Sequence, residues 1–368
     1  MNAIGPVPMA AGIMADLGAQ VLRIEAPGPQ LAMVDPDRAV HLRGRSAVTL
    51  DLRDAESLDV VRRLAAETDI LLEGYRPGVM ERLGLDPDAL LAANPRLIVG
   101  RMTGWGQDGP RAQRAGHDID YIATAGPLRH FARAGERPVP PVNLVADFGG
   151  GAMFLLVGVL SALWERSRSG AGQVVDAAMV DGSAYLMMLV YSLAAQGMWN
   201  PDTPGANLLD TGAPFYDVYE CADGEYLAVG CLEPKFYAEF LQIVGLARAD
   251  LPAQFDVPRW PELRAAFAAQ IATRSRDEWD EAFRDSDACT TGVLSMTEAP
   301  DHPHLRARGT FLPGEPLQPA PAPRFSRTPG TAIPRREFPL GAAALMQWGI
   351  AADVAGRVAG DERQEEQS

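Results

Sequence analysis

The sequence predicts an α/β protein with a large domain, built on a parallel sheet, and a smaller α+β domain. Short β-rich runs alternate with helical stretches in the first half of the chain, which is typical of a parallel sheet covered by helices. After Pro201 this pattern changes, and between 313 and 334 prolines recur every few residues. The chain has 368 residues, 47% of them hydrophobic, which is enough to fill two cores.

The first half supplies the elements of the predicted sheet layer. Between two of the β-rich runs, Ala55–Glu67 has helical spacing that places Leu58, Val61 and Leu64 on one face. Two apolar stretches, 152–166 and 179–195, predict long buried helices. The predicted strands are residues 21–25, 46–52, 69–73, 97–102 and 173–176.

The second half predicts a small domain and a return to the large one. A strand at 225–232 is followed by amphipathic helices at 234–244, 260–273 and 276–283. Prolines keep 313–334 extended, and one helix is expected over 341–358, before a charged tail. The predicted divisions are 1–195 for the large domain, 196–212 for a linker, 213–312 for the small domain, 313–334 for a proline-rich linker and 335–368 for the return and tail.

Charge and cysteine content exclude several classes of function. The net charge of −15 argues against a nucleic-acid or anionic-membrane surface, so any phosphate site must be local. The three cysteines are widely spaced and form no C-x-x-C pattern, which suggests neither a disulfide framework nor a zinc site. We therefore expect a cytoplasmic protein. The longest apolar run, 152–164, is shorter than the ~20 residues that span a bilayer, so no membrane segment is expected.

Residues 104–109 match the dinucleotide-binding pattern G-x-G-x-x-G after a predicted strand. The match is weak because Pro110 and the polar run 111–114 replace the apolar helix that should follow. Walker A, G-x-S-x-G and H-E-x-x-H patterns do not occur. The sequence therefore gives no support to a nicotinamide cofactor or to the enzyme classes that those patterns mark.

His117 stands apart among the five histidines. It follows Gly116, which permits a close backbone approach, and it precedes a segment, 119–123, that has the composition of a buried element. From the residues alone, two interpretations stay open: a capping or core histidine, or an acid/base group. His302 and His304 flank a proline and lack the nearby partners that a metal site needs.

Asp147 and Glu233 are the two carboxylates that the pattern singles out. Asp147 precedes an apolar helix and is followed by three glycines, which suggests either a helix N-cap or a site that a ligand approaches closely. Glu233 ends a predicted strand and precedes Pro234 at the first position of a helix. A first-turn acid that complements the helix dipole is an equally good interpretation of Glu233.

Six separated motifs resemble the family III CoA-transferases, and within them the branch of α-methylacyl-CoA racemases. The resemblance runs through nearly the whole chain. The motifs are 74–78 (GYRPG), 101–107 (RMTGWGQ), 116–119 (GHDI), 146–151 (ADFGGG), 210–216 (DTGAPFY) and 233–237 (EPKFY).

The resemblance implies an interlocked homodimer, with a Rossmann-like large domain, a small domain and long linkers. It implies an isomerase, independent of metals and cofactors, that inverts the α-carbon of 2-methylacyl-CoA thioesters. His117 and Asp147 would flank that carbon as the acid/base pair, and Glu233 would hold the imidazole tautomer. The backbone N–H of Asp118 would stabilise the enolate oxygen.

The same resemblance suggests where coenzyme A, as part of the substrate, would bind. Arg43, Arg45, Arg76, Gly104 and Tyr121 are the residues of this sequence that match the nucleotide-binding segments. A solvated role for Arg43 and Arg45 is an open alternative.

This sequence departs from the family pattern in several places. About a dozen residues that precede the first matched motif in relatives are missing before Met1, so the first strand of the sheet is expected to be absent or to precede this start. Ala26 and Ala171 stand where relatives often have Arg and Lys. Thr211 replaces a usual glycine and Gly292 a usual proline.

Two other functions fit the same residues. In a CoA-transferase, Asp147 would attack the thioester and form a mixed anhydride, although such enzymes as a rule lack the pair His117 and Glu233. A non-catalytic paralogue that binds CoA esters would retain the binding segments without the reaction.

Overall fold

The structure, a computed structural model, describes residues 1, 4–28 and 38–359. Its strands, in chain order, are β1 (Leu22–Glu25), β2 (Ser46–Thr49), β3 (Ile70–Glu73), β4 (Ile98–Thr103), β5 (Gln173–Ala178), β6 (Asp217–Glu220), β7 (Tyr226–Val229), β8 (Thr290–Gly292), β9 (Phe311–Leu312) and β10 (Gln318–Pro319). Its α-helices are α1 (Pro6–Asp16), α2 (Ala55–Glu67), α3 (Val79–Arg82), α4 (Pro87–Ala93), α5 (Asp118–Ala125), α6 (Met153–Ser169), α7 (Met179–Leu186), α8 (Met188–Ala195), α9 (Pro234–Ile243), α10 (Trp260–Ile271), α11 (Arg276–Phe283), α12 (Pro303–Arg308), α13 (Gly341–Gln347) and α14 (Ala352–Val358).

The chain divides into two compact units. Unit 1 comprises 1–125, 142–186 and 309–368, and unit 2 comprises 126–141 and 187–308. The predicted division differs from these units at several points: the expected linker 196–212 lies within unit 2, and 309–312 lie in unit 1. Residues 126–141 belong to unit 2 because Arg133 donates to the Asp217 carboxylate of that unit. The change of unit in the predicted helix 179–195 falls after Leu186, where the helix is interrupted between α7 and α8.

Unit 1 contains the parallel strands that the alternating pattern predicted. β1 pairs in parallel with β2, and β3, β4 and β5 form a second parallel sheet in that order. Within the described residues no ladder joins the two sheets, which corrects the expectation of one continuous sheet. Helix α2 has the predicted bounds, begins with Asp54 accepting from the Ser57 N–H, and buries Val60, Val61 and Leu64.

The helix that carries Asp147 starts earlier than the sequence predicted. A π-helical segment, Leu144–Ala152, runs directly into α6, so Asp147 lies in the first turn and the N-cap is Asn143. The continuous helix Leu144–Ser169 has 26 residues, long and apolar enough to span a membrane by length and composition. The expectation that the apolar segment here is too short to span a bilayer was therefore wrong. A core helix passes the same test, and α6 packs against β4 and β5.

Close packing fixes α6 on its sheet. A Cβ added at Gly158 would lie 2.6 Å from a Val175 methyl, and one at Gly100 would lie 2.9 Å from a Leu155 methyl. The guanidinium of Arg166, near the end of α6, donates to the Asp69 carboxylate at 2.8 Å and to the Arg96 carbonyl at 2.8 Å. These contacts hold both ends of the helix that begins beside Asp147.

The expectation that α6 and the 179–195 stretch are fully buried is wrong for one face of each. On α6 the exposed side chains Met153, Val157, Leu160 and Trp164 share one face, and Trp164 is 70% exposed. On α7 and α8 the exposed apolar side chains are Tyr185, Leu186, Met188, Leu189 and Tyr191. We call the four residues on α6 the α6 stripe.

Unit 2 is an antiparallel sheet packed with helices. The strand order is β6–β7–β8, and the predicted helices at 234–244, 260–273 and 276–283 are found as α9, α10 and α11. Phe215, Phe240, Phe267 and Trp279 fill the core, and the Trp279 indole N–H donates to the Ile271 carbonyl. The core of unit 2 is therefore aromatic and internally hydrogen-bonded.

The proline-rich stretch is extended, as predicted, and is attached to unit 1. β9 and β10 form a two-residue antiparallel pair. Arg43 donates to the Gln318 side chain and to the Pro319 carbonyl, and it also pairs with the buried Asp16 carboxylate. The single helix expected over 341–358 is instead two short helices, α13 and α14, separated at Gly349, which has φ 82°.

Two departures from the family pattern have a structural explanation. Gly292 donates its backbone N–H to the Asp280 carboxylate at 2.9 Å, a bond that a proline could not make. Thr211 has φ 72°, a conformation in which a β-branched residue is strained and glycine is not. Arg264 holds it there by donating to the Thr211 carbonyl at 2.6 Å.

Replacing Thr211 by Gly should stabilise the protein by about 1 kcal/mol, because glycine removes the steric cost of the left-handed conformation. Urea unfolding, followed by circular dichroism, measures the change. Thr211→Ala is the matched control, since it keeps the Cβ and should recover little. A glycine variant no more stable than the alanine variant would contradict the assignment of strain.

Candidate active site

His117 immediately precedes helix α5 and is fixed through its backbone. Its N–H donates to the Asp120 carboxylate at 2.9 Å, and its carbonyl accepts from the N–H groups of Asp120 and Tyr121. The side chain of His117 is exposed. These bonds fix the main chain of the histidine and leave its imidazole accessible.

The loop before α5 is packed around Tyr121. The Tyr121 hydroxyl donates to the Gly116 carbonyl at 2.6 Å, and its ring meets Trp105 edge-on at 4.9 Å. A Cβ at Gly104 would lie 2.1 Å from that ring, so the glycine is required for packing. The resemblance assigned Gly104 and Tyr121 to CoA binding, but Tyr121 is buried and its hydroxyl is occupied. Both residues therefore shape the loop that presents His117.

Asp147 is half-buried, and two residues define the position of its carboxylate. Its carboxylate accepts from the Asn143 side-chain amide at 3.0 Å. Gly5, which caps the N-terminus of α1 with φ 70°, approaches so closely that an added Cβ would lie 3.1 Å from the Asp147 Oδ2. The beginning of α1 and the first turn of the Asp147 helix thus enclose one side of this carboxylate.

The three glycines after Asp147 do not clear space for a ligand, contrary to the interpretation drawn from the sequence. A Cβ at Gly150 would lie 2.7 Å from the Ser183 backbone nitrogen, and one at Gly151 would lie 2.8 Å from the Ala146 carbonyl. On the facing helix, a Cβ at Gly182 would lie 1.9 Å from the Gly150 carbonyl. The glycines serve the close packing of the Asp147 helix against α7.

Asp118 connects the histidine segment to the Asp147 helix. Its side chain is buried, and its Oδ2 accepts from the backbone N–H of Ala146 at 2.7 Å and of Asp147 at 2.8 Å. His117 is the preceding residue. The hydrogen bonds of Asp118 therefore link the main chain next to His117 to the main chain of Asp147, and both residues lie in unit 1.

The electrostatic environment favours proton exchange at Asp147. Burial raises the pKa of its carboxyl above the ordinary value, and the Asp118 charge acts in the same direction. The Asn143 hydrogen bond and the His117 charge oppose this shift. Burial also raises the pKa of Tyr121 to about 12, with Asp147 and Asp120 contributing, so that hydroxyl stays protonated at neutral pH. The raised pKa gives the Asp147 carboxyl a higher affinity for a proton.

The three arginines matched to CoA-binding segments have different surroundings. Arg45 is buried, and its guanidinium donates to the carbonyls of Pro8, His41 and Arg43. Arg43 is occupied by Asp16 and the proline-rich stretch, as described above. Arg76 is exposed, and among the described residues its guanidinium has no recorded hydrogen bond. Arg76 is therefore the arginine of the three that is available to a phosphate, and Arg45 is not.

Glu233 lies in unit 2 as the N-cap of α9, with Pro234 at the next position, as predicted. Its side chain is exposed and makes no capping bond. Within the described part of the chain, the side-chain carboxylate of Glu233 forms no hydrogen bond or ion pair. The carboxylate is thus free to meet another group.

Three contributors to the site were not predicted from the sequence. Gly5 and Asn143 contact the Asp147 carboxylate, and the Asp118 side chain anchors its helix. Asn143 could have been found from its position four residues before Asp147 at a helix start. Nothing in the sequence indicated that Asp118 and the residues near 146 are bonded, because 28 residues separate them.

The chain belongs to CoA-transferase family III, whose family model matches residues 1–342. It is 43% identical to the alpha-methylacyl-CoA racemase of Mus musculus over 92% of this chain and 87% of that protein. It is 42% identical to the human alpha-methylacyl-CoA racemase over 91% of this chain and 86% of that one. A probable fatty acyl-CoA transferase of Mycobacterium tuberculosis is 33% identical over 74% of this chain and 75% of its own length.

Solved structures confirm the mixed α/β fold of the family. A CAIB/BAIF family protein from Brucella suis has a TM-score of 0.77 at 24% identity and covers 91% of this chain and 93% of that one. A protein from M. tuberculosis has a TM-score of 0.74 at 26% identity and covers 94% and 95% of the two chains.

Replacing Asp147 by Asn should raise the melting temperature near neutral pH. Folding raises the pKa of the Asp147 carboxyl, so the ionised carboxylate is disfavoured in the folded chain. Its ionisation therefore lowers the free energy of unfolding. That cost is complete above the folded pKa and disappears as the pH falls below the unfolded value. Asparagine can still accept the bond from Asn143.

Thermal unfolding at about pH 8 and about pH 3 measures this difference. The variant should melt above the wild type at the higher pH, and its advantage should vanish at the lower one. Asp54→Asn, at the cap of α2, is a control that should gain nothing. A variant that melts below the wild type at the higher pH would contradict the raised pKa.

Proposed function

We propose that the protein is a cofactor-independent isomerase that interconverts (2R)- and (2S)-2-methylacyl-CoA thioesters by 1,1-proton transfer through an enolate. The observation that carries the proposal is the linkage of His117 to Asp147 through the Asp118 carboxylate. Identity of 43% and 42% to two alpha-methylacyl-CoA racemases supports the substrate class.

The proposed reaction needs one group on each face of the α-carbon. His117 removes the α-proton from the S epimer while Asp147 supplies a proton to the opposite face, and the reverse reaction exchanges these roles. The raised pKa of Asp147 supports a role in which it both accepts and donates a proton. No net proton is consumed, because each transfer from the substrate is matched by one to it.

The enolate oxygen needs a donor that is already in place. Asp118 is the first residue of α5, and its backbone N–H has no recorded acceptor among the described residues. An N–H at a helix start is unpaired within the helix and lies at the positive end of its dipole. It is therefore the candidate for stabilising the developing negative charge.

Two further parts of the proposal rest on the family resemblance. Glu233 from a second copy of the chain would orient the His117 imidazole. Arg76 would bind a phosphate of coenzyme A, supported by its exposure and free guanidinium. We also propose a cytoplasmic location, supported by three cysteines that are all unpaired.

Exchange in deuterated water tests the proposed reaction. The wild-type protein should incorporate deuterium at the α-position of 2-methylacyl-CoA without an acceptor acid, and His117→Ala should slow this about a thousandfold or more. His304→Ala, at an exposed position in the first turn of α12, is the matched control and should keep wild-type exchange.

A different result would favour one of the alternatives. Exchange or thioester turnover that needs a second carboxylic acid would indicate a CoA-transferase with Asp147 as nucleophile, the activity for which several relatives are named. Thermal stabilisation by CoA esters without exchange would indicate a non-catalytic paralogue that binds them.

We propose that two copies associate as an interlocked homodimer that covers the α6 stripe. Burying exposed Val157, Leu160 and Trp164 would be favourable by roughly 25 cal/mol for each Å² removed from water. Contiguous apolar surface of this kind usually marks an interface. The exposed His117 also requires cover from solvent, since an enolate is stabilised best where water is excluded.

Leu160→Glu should weaken the dimer, because the new charge would have to be desolvated at the interface. Sedimentation velocity over a range of concentrations measures the change in association. Met296→Glu is the matched control at an exposed apolar position off the stripe. Equal sedimentation of the two variants as dimers would remove the α6 stripe from the interface.

A further inference from the structure

In the contact between Asp118 and the Asp147 helix, a single carboxylate oxygen accepts both hydrogen bonds. Oδ2 accepts from the N–H groups of Ala146 and Asp147, while Oδ1 is buried without a recorded partner among the described residues. N–H groups in the first turn of a helix have no partner within the helix. Here a carboxylate from another helix provides one.

Each of the two proposed catalytic groups is held locally by other means. His117 is fixed by bonds to Asp120 and Tyr121 on its own side. Asp147 is fixed by Asn143 and by the approach of Gly5. Among the hydrogen bonds of the described residues, those of Asp118 are the ones that join the two sides. Its carboxylate therefore sets the separation between them.

We propose that the side chain of Asp118 is a positioning residue that holds His117 and Asp147 at the spacing that places one on each face of the substrate α-carbon. This inference rests on the proposed function and is separate from the role of the Asp118 backbone N–H. Displacing reacting groups by about 1 Å can cost on the order of 100-fold in rate. A helix start released from its anchor would allow such a displacement.

The negative charge of Asp118 has a second effect at the same site. It raises the pKa of Asp147, after the larger effect of burial, whereas the His117 charge lowers it. The other groups against the Asp147 carboxylate are Asn143 and Gly5, which carry no charge, and Tyr121, which is protonated at neutral pH. Removing the Asp118 charge alone should therefore lower the pKa of Asp147.

Two substitutions separate position from charge. Asp118→Asn keeps an oxygen that can accept both N–H bonds, and its amide nitrogen would replace the Oδ1 that has no recorded partner. Asp118→Ala removes both the acceptor and the charge. The matched controls are Asp54→Asn and Asp54→Ala, because Asp54 also accepts from a backbone N–H at a helix start, away from the site.

The expected pattern differs among these variants. For α-deuterium exchange, Asp118→Ala should lower kcat about 100-fold with little change in KM, and Asp118→Asn should recover most of that loss. In Asp118→Asn the acidic limb of the pH profile of kcat/KM should move to lower pH. Both Asp54 variants should keep the wild-type kcat and pH profile, even where their melting temperatures fall as much as those of the Asp118 variants.

Two results would overturn the inference. One is an Asp118→Ala variant whose kcat stays within a few-fold of that of Asp54→Ala. The other is an Asp118→Asn variant as impaired as Asp118→Ala, since restoring the acceptor would then restore nothing. If the wild-type protein shows no exchange at all, the proposed function fails instead.

The inference can also be tested without activity. Carboxyl ¹³C NMR of Asp147, assigned with Asp147→Asn, reports on its surroundings. The Asp147 carboxyl should titrate at lower pH in Asp118→Asn than in the wild type and should broaden or shift in Asp118→Ala. An unchanged Asp147 signal in both Asp118 variants would overturn the inference whatever the enzyme catalyses.

Discussion

The bond between the Asp118 carboxylate and the start of the Asp147 helix is the interaction on which the site depends. Proton transfer to opposite faces of one carbon tolerates little error in the spacing of two groups, and these groups come from chain segments about 30 residues apart. A charged acceptor in a buried position makes stronger hydrogen bonds than a neutral one. The Asp118 carboxylate therefore connects the start of α5 to the start of the Asp147 helix through two hydrogen bonds.

The packing of the neighbouring helices keeps the two segments that Asp118 connects in fixed positions. The Asp147 helix cannot slide along α7, because Gly150 and Gly182 are in backbone contact, nor along its sheet, because Gly158 lies under Val175. On the other side, Tyr121 fills the space that Gly104 and Gly116 leave open and bonds to the Gly116 carbonyl. The two segments that Asp118 connects, the loop before α5 and the first turn of the Asp147 helix, are thus both closely packed.

Local patterns gave correct predictions where a segment is determined by its own sequence. Helix α2 has a capping aspartate and a clear apolar face, and its bounds were predicted correctly. Helix α11 has a capping box of Ser275 and Glu278 and was equally clear. The beginning of the Asp147 helix was missed, because three glycines argue against a helix and only their contact with α7 makes one possible.

Long-range partners could not be predicted in the same way. Arg45 and Arg76 look alike in sequence, yet one is buried against three carbonyl groups and the other is exposed. The motif around His117 identified the histidine and the backbone of Asp118, but not the bonds of its side chain. A resemblance carries residue types from one protein to another, whereas burial and partners depend on how distant segments pack.

Binding a phosphorylated substrate to a chain of net charge −15 requires a local cation. The carboxylates near that cation must be distant or already paired with another cation. The loop that carries Arg76 meets this requirement. It is bracketed by Glu73 and Glu81, and both carboxylates are paired with the guanidinium of Arg101. One buried arginine thus pairs with the carboxylates at both ends of the loop, and Arg76 remains exposed between them, where it can attract a phosphate.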